Sequence, residues 1–168
     1  MRNLGTRFAI AALVVLPTCA TAGSWEYRDP TEDEGGMGVR SATLESDDDL
    51  QFDFPHQGDD RATLAIRETR SDGPQVLFSV RNGRIICGFR GQCVVMVRFD
   101  DDRWERFSAS ATAETGTAAL LFDDRRRFVE MAGKSRKFLV SFTLEHRGTR
   151  IMEFTSPTPL TWGSGPKP

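Results

Sequence analysis

Apolar and polar residues alternate along most of this chain, and the alternation repeatedly breaks at clusters of turn-forming residues. Ala62, Leu64 and Ile66 alternate with polar neighbours, and so do Val76, Phe78 and Val80. The same holds for Cys93, Val95, Val97 and Phe99, and for Phe138, Val140, Phe142 and Leu144. A period of two marks strands with one buried face. Residues 24–28 read as a short edge strand, 39–46 as a partly exposed one, and 50–54 as another, with Asp47-Asp48-Asp49 as a turn between the last two. Further strands are expected at 84–87, 103–109, 117–122 and 149–155. Residues 29–38 and 57–60 read as polar loop and turn. Ser71-Asp72-Gly73-Pro74, Asp100-Asp101-Asp102 and His146-Arg147-Gly148 are turn signals. Asn82-Gly83 is the strongest hairpin signal, because both residues tolerate the positive φ of a type I′ turn.

Residues 123–133 break the pattern. Phe128, Val129 and Ala132 fall on one helical face, an Asp can cap the start, and Gly133 is the expected stop. Many short strands with close turn signals and one short helix predict a mainly β domain, an antiparallel β-sandwich or a barrel-like sheet.

The start of the chain does not belong to that pattern. Arg2 and Arg7 precede an uncharged apolar run at 8–16, Pro17 ends it, and Ala20-Thr21-Ala22 supplies small residues for a peptidase. Residues 1–22 read as a secretory signal cleaved between Ala22 and Gly23. The run is about half the ~18–20 residues that span a bilayer, which disfavours an uncleaved anchor. Lipidation of Cys19 is the minor alternative, since Thr18 and Pro17 suit that processing poorly. Residues 23–162 then form a single domain and 163–168 a flexible tail.

Removing the signal alters the composition. The 168 residues become 146 (168 less 22), and the net charge of −2 becomes −4 because two arginines leave and no acid does. An acidic domain is a poor nucleic-acid binder. Three cysteines become two, Cys87 and Cys93, and an even pair in an exported chain reads as one disulfide. Its ring is shorter than a 15-residue loop, so its entropic contribution falls below ~3 kcal/mol.

Candidate chemistry is sparse. His56 and His146 sit beside turns with no local nucleophile motif, and two Cys with two distant His make no zinc cluster. The acidic groups 47–49, 59–60, 100–102 and 123–124 lie in turns and do not match a calcium loop. No metal and no cofactor is expected. Arg125, Arg126 and Arg127 form a basic run on the solvent side of the helix, open to an acidic partner or to lipid headgroups. Trp25, Trp104 and Trp162 offer stacking surfaces for a ligand, although a strand position for Trp104 points to the core.

The order of landmarks is more specific than any single motif. Trp25 and Tyr27 are followed by Phe52-x-Phe54-Pro55-His56-x-Gly58, Leu64-x-Ile66-Arg67, Gly83-x-Ile85-x-Cys87, Val95-x-Val97-Arg98-Phe99-Asp100, and a closing Phe154 and Trp162. This order resembles a group of small exported proteobacterial proteins of unknown function. That resemblance spans nearly the whole domain, implies a β-sandwich-like fold and supplies no catalytic residue. A weaker resemblance is to the periplasmic TagO/VasI proteins associated with type VI secretion, through the leading Trp, the L-x-I-R strand and the late Phe-rich strand. That pattern places Cys where this chain has Glu68.

The expected protein is therefore a periplasmic, non-enzymatic β domain. It binds another envelope protein, with the edges at 24–28 and 149–155 and the residues Trp25 and Arg125–Arg127 as candidate contacts. A small-ligand or calcium-binding module is the alternative, and a hydrolase a weaker one. No stable membrane insertion is expected.

Overall fold

The computed structural model describes residues 23–29, 39–52, 59–68, 73–88, 91–114 and 117–163. The expected signal at 1–22, the loop segment 30–38, Phe54 to Gly58 with His56, and the tail at 164–168 lie outside the described residues.

Among the described residues nine antiparallel strands make one sheet: β1 (Glu26–Arg28), β2 (Arg40–Gln51), β3 (Asp59–Glu68), β4 (Gln75–Val80), β5 (Gln92–Phe99), β6 (Glu105–Glu114), β7 (Thr117–Phe122), β8 (Lys137–Leu144) and β9 (Gly148–Thr155). Their spatial order is β1-β2-β3-β4-β7-β6-β5-β8-β9. A single helix among the described residues, α1 (Arg125–Ala132), joins β7 to β8. Of the two expected architectures the barrel-like one is observed: the sheet curls on itself into a half-barrel, and among the described residues no second sheet packs on it.

The curl follows from where the apolar side chains point. Most strands bury alternate residues, among them Ala42 and Leu44, Leu64 and Ile66, Phe78, Val95 and Val97, Phe107, Leu120, Val140 and Phe154. Burying each large aliphatic or Phe side chain is worth about 1.5–3 kcal/mol, so an open flat face would forfeit many such contributions. Curling lets the inner face cover itself. Residues of distant strands meet there, as Phe78 does with Phe142 at 4.7 Å between ring centroids. Helix α1 fills one end of the trough. Phe128, fully buried, lies 5.4 Å from Phe99, 5.7 Å from Phe107 and 5.2 Å from Phe122.

Three local expectations are corrected. Asp47-Asp48-Asp49 is not a turn; it belongs to one long strand, β2, whose pairing to β3 slips between Glu45 and Asp49. Glu45 faces Thr63 and Asp49 faces Arg61, so Ser46, Asp47 and Asp48 bulge opposite Ala62 alone. Ser46 holds this bulge. Its buried Oγ accepts the Ala62 amide at 2.9 Å and donates to the Asp48 carbonyl at 2.7 Å. A side chain thus replaces the missing ladder acceptor, and the bulge bends the strand.

Asn82-Gly83 does not close a hairpin. Gly83 has φ 97°, but Asn82 is not among the described residues with positive φ, so a type I′ turn is ruled out. The Asn82 amide instead donates to both carboxylate oxygens of the buried Asp60, at 2.8 and 2.7 Å. The chain then runs to β8, where Ile86 donates to Thr143 and Glu145 donates to Arg84. This short segment continues beside β8 from where β5 stops pairing with it at Met96↔Ser141. Cys87 and Cys93 are joined by a disulfide, with Cα atoms 4.4 Å apart, tying the segment to the start of β5. Such a bond marks a location outside the reducing cytoplasm.

The helix also ends differently from expectation. Asp124 occupies the N-cap position but makes no side-chain cap bond, and Gly133 is right-handed, with φ −69°. The last turn is satisfied from outside: the Leu160 amide donates to the Ala132 carbonyl at 3.1 Å. The closing segment 156–163 therefore belongs to the fold. Arg40 donates to the Gly163 carbonyl at 2.7 Å and lies 4.6 Å over the Trp162 ring.

Replacing Ser46 by Ala strands the buried Ala62 amide and frees the bulge. A loss of about 1–3 kcal/mol of stability is expected, measured as a lower urea midpoint with an unchanged near-ultraviolet spectrum at zero denaturant. An unshifted midpoint would show that the bulge does not need the hydroxyl.

Candidate docking seam

The half-barrel leaves a gap because its two end strands do not pair with each other. β9 ends the sheet on one side. On the other side β1 covers β2 only at Ser41–Thr43, and the remainder of β2 turns its outer edge toward β9. Between them lies a cavity of about 350 Å³, lined from the β2 side by Asp48, Leu50 and Phe52 and from the β9 side by Arg147, Arg150 and Ile151. Inward and outward residues of both strands contribute, since Leu50 is buried and Ile151 is 52% exposed. The cavity therefore lies between strand edges rather than on a sheet face.

Both ends of the seam are clamped. At one end a Cβ built on Gly23 would sit 3.4 Å from the Glu45 carbonyl oxygen and 3.5 Å from that of Thr155, so the backbone there lies between β2 and β9. Trp25 follows it into the core, 6.0 Å from the Phe138 ring. At the other end Arg147, in the β8–β9 turn, donates to the Gln51 carbonyl and lies 4.9 Å over the Phe52 ring. The turn that carries it has the left-handed residues His146, φ 60°, and Gly148, φ 68°. Asp48 and Asp49 on one bank oppose Arg147 and Arg150 on the other, and Asp49 also meets Arg61 at 3.1 Å.

The residues singled out from the sequence are scattered. Ala22 lies outside the described residues, while Gly23 stands at the seam. Trp25 is only 6% exposed and is a core residue, which removes its ring from the contact surface. Trp104, expected inside, is among the exposed large apolar residues; it precedes β6 and stacks with Arg98 at 5.5 Å. Trp162 packs against the core beneath Arg40. Arg125 and Arg126 are exposed on α1. Arg127 is engaged: it pairs with Glu105, lies 3.9 Å from Asp124 and covers the Phe107 ring at 5.1 Å. The basic run is therefore two outward arginines and one that staples the helix to β6.

The acidic groups are likewise divided. Asp100 accepts the amides of Arg136 and Lys137, both at 3.0 Å, at the helix end of the sheet. Asp47–Asp49 lie in the bulge of β2. Among the described residues no group of three or more His, Cys, Asp or Glu is disposed to hold a metal ion. His146 is exposed in its turn. The seam residues Ser46, Arg147 and Ile151 carry no motif; only the alternation around Ile151 announces an edge strand. Comparison with protein-family models, with curated proteins and with solved structures finds no match for this chain.

The Glu105 carboxyl is held below its ordinary value of 4.5, first by a hydrogen bond from Arg103 at 3.0 Å and then by Arg127. A carboxylate depressed in the folded state stabilises above its unfolded value and loses that contribution as pH falls through its folded value. Glu105→Gln should therefore lower the urea midpoint at neutral pH, with the difference from the wild type narrowing below pH 4.5. A difference independent of pH between 7 and 3 would contradict the pairing.

Proposed function

We propose that this is an exported periplasmic protein that binds another envelope protein by taking an extended segment along β9, at the seam with β2. The observation that carries this reading is the unpaired edge of β9, which presents Ile151 beside the gap in the sheet. Edge strands expose a row of backbone donors and acceptors, and partners exploit them by strand addition. Backbone bonds supply affinity in that mode, and the side chains flanking the groove supply selectivity. Here the selectivity would come from Ile151 and from the facing Asp and Arg banks.

Export is supported by the Arg-flanked apolar run, the Ala20-Thr21-Ala22 pattern and the Cys87–Cys93 bond. No helix among the described residues is long and apolar enough to cross a membrane. The resemblance to exported proteobacterial proteins, and more weakly to secretion-associated TagO/VasI proteins, supports an accessory role rather than catalysis. The two exposed arginines Arg125 and Arg126 lie on α1, at the end of the sheet away from the Asp48–Phe52 bank, and offer a second contact for an acidic surface.

A photo-crosslinker placed at position 151 in the native cell should capture one specific envelope protein. Ile151→Lys should abolish binding of that protein, while changing stability by no more than about 0.5 kcal/mol because the side chain is exposed. If the folded protein captures nothing and its Trp fluorescence responds to a sugar or to Ca²⁺, the small-ligand reading replaces this one.

A further inference from the structure

We infer that the outer face of β5 and β6 is a binding site for an extended acidic segment of another protein, held by Arg98, Trp104 and Arg106. The register brings these three together. Met96 faces Arg106 on β6, and Arg98 faces Leu139 on β8. Val97 faces Glu105, so Arg98 stands across from Trp104 and diagonal to Arg106. Diagonal positions on one sheet face are roughly 7–8 Å apart. Val95, Val97 and Phe107 of the same strands are buried in the core, so the alternate side chains Met96, Arg98 and Arg106 point outward. The Arg98 guanidinium lies 5.5 Å over the Trp104 ring, which is 36% exposed.

The fold does not neutralise these two cations. The Nε of Arg98 is buried and has no hydrogen-bond partner among the described residues. The neighbouring carboxylates are engaged elsewhere: Glu153 accepts from Lys137 at 2.7 Å, and Glu105, between Trp104 and Arg106, holds Arg103 and Arg127. The whole chain has 24 acids against 22 Lys+Arg, so no surplus of base accounts for an unpaired cluster here. A carboxylate accepting from the fork of Nε and a terminal nitrogen would satisfy the orphaned donor in the two-bonded geometry that suits arginine. The indole already holds the plane of that fork. Residues two apart in an extended chain lie about 6.6–6.8 Å apart on one side, so two acids at that spacing reach both arginines. Aliphatic side chains beside them would cover Met96 and the 49% exposed Val94. A lipid surface fits less well, because Glu153 on the same face repels anionic headgroups. A sugar fits less well too, because the single ring is covered on one side by Arg98. The site uses β5, β6 and β8 and is independent of the seam between β2 and β9.

The test titrates the oxidised protein with a blocked peptide in which glutamate, glutamate and leucine alternate with threonine. The same peptide with glutamine for glutamate is the reference. The Trp104 indole and Arg98 Nε resonances should shift with the glutamate peptide and stay in place with the glutamine one. Arg98→Gln combined with Arg106→Gln should weaken binding about tenfold, and the affinity of the wild type should fall as salt is raised. Trp104→Leu keeps both charges and should also weaken binding, because it frees the Arg98 fork. A urea midpoint and an amide spectrum confirm that each variant is folded. No binding, equal binding of the two peptides, or undiminished binding by either folded variant would overturn the inference. So would binding of phosphatidylglycerol vesicles or polygalacturonate in place of the peptide, lost in the double variant, which would give the face to lipid or to acidic polysaccharide.

Discussion

The hydroxyl of Ser46 sits where the sheet has to bend. Three residues of β2 face one residue of β3, and the Ala62 amide has no ladder carbonyl opposite it. A buried amide without an acceptor costs about 1–3 kcal/mol, so the bulge persists only because the Ser46 side chain accepts that bond. Beyond the bulge, the far half of β2 lies beside β9. One-sided burial supplies the drive to curl, and the bulge adds a local bend in β2.

The seam is what remains when that curl stops short of closure. A nine-stranded sheet that closed completely would have no edge to protect. Here the ends are clamped instead, by Gly23 and Trp25 at one end and by Arg147 against Gln51 and Phe52 at the other. Away from the seam the structure is closed more firmly. Phe128 and the 156–163 segment shut the helix end, and Arg127 fastens the helix to Glu105. The Cys87–Cys93 bond holds the segment that takes over from β5 beside β8. The clamps are local, whereas the core is continuous and aromatic.

Much of the sheet was legible in the sequence because a period of two leaves little choice of face once one side is apolar. The buried sets on β3, β5 and β8 follow the alternation residue by residue, and on β4 the expected Val76, Phe78 and Val80 are joined by Leu77. The barrel-like alternative, the single short helix and the cysteine pair were legible for the same kind of reason: each is a local pattern. What failed depended on distant partners. Asp47-Asp48-Asp49 has turn chemistry, yet pairing with β3 keeps it in a strand. Asn82-Gly83 has hairpin chemistry, yet Asp60 captures the Asn82 side chain and the segment after it pairs with β8. Trp104 lies next to a strand rather than within one, which leaves its ring outside. Ser46, Arg147 and Ile151 act through neighbours far along the chain, and a serine or an arginine in an alternating stretch carries no mark of such a role.

β2 and β9 face each other without pairing. Cross-strand nuclear Overhauser effects in the form beginning at Gly23 test it most directly. Close Hα–Hα contacts are predicted between neighbouring strands throughout the ladder from β1 to β9, including Val140 with Met152 and Leu44 with Leu64, or their adjacent register pairs. None is predicted between residues 48–51 and residues 150–152. A regular series of such contacts across β2 and β9 would show a closed barrel and contradict the seam.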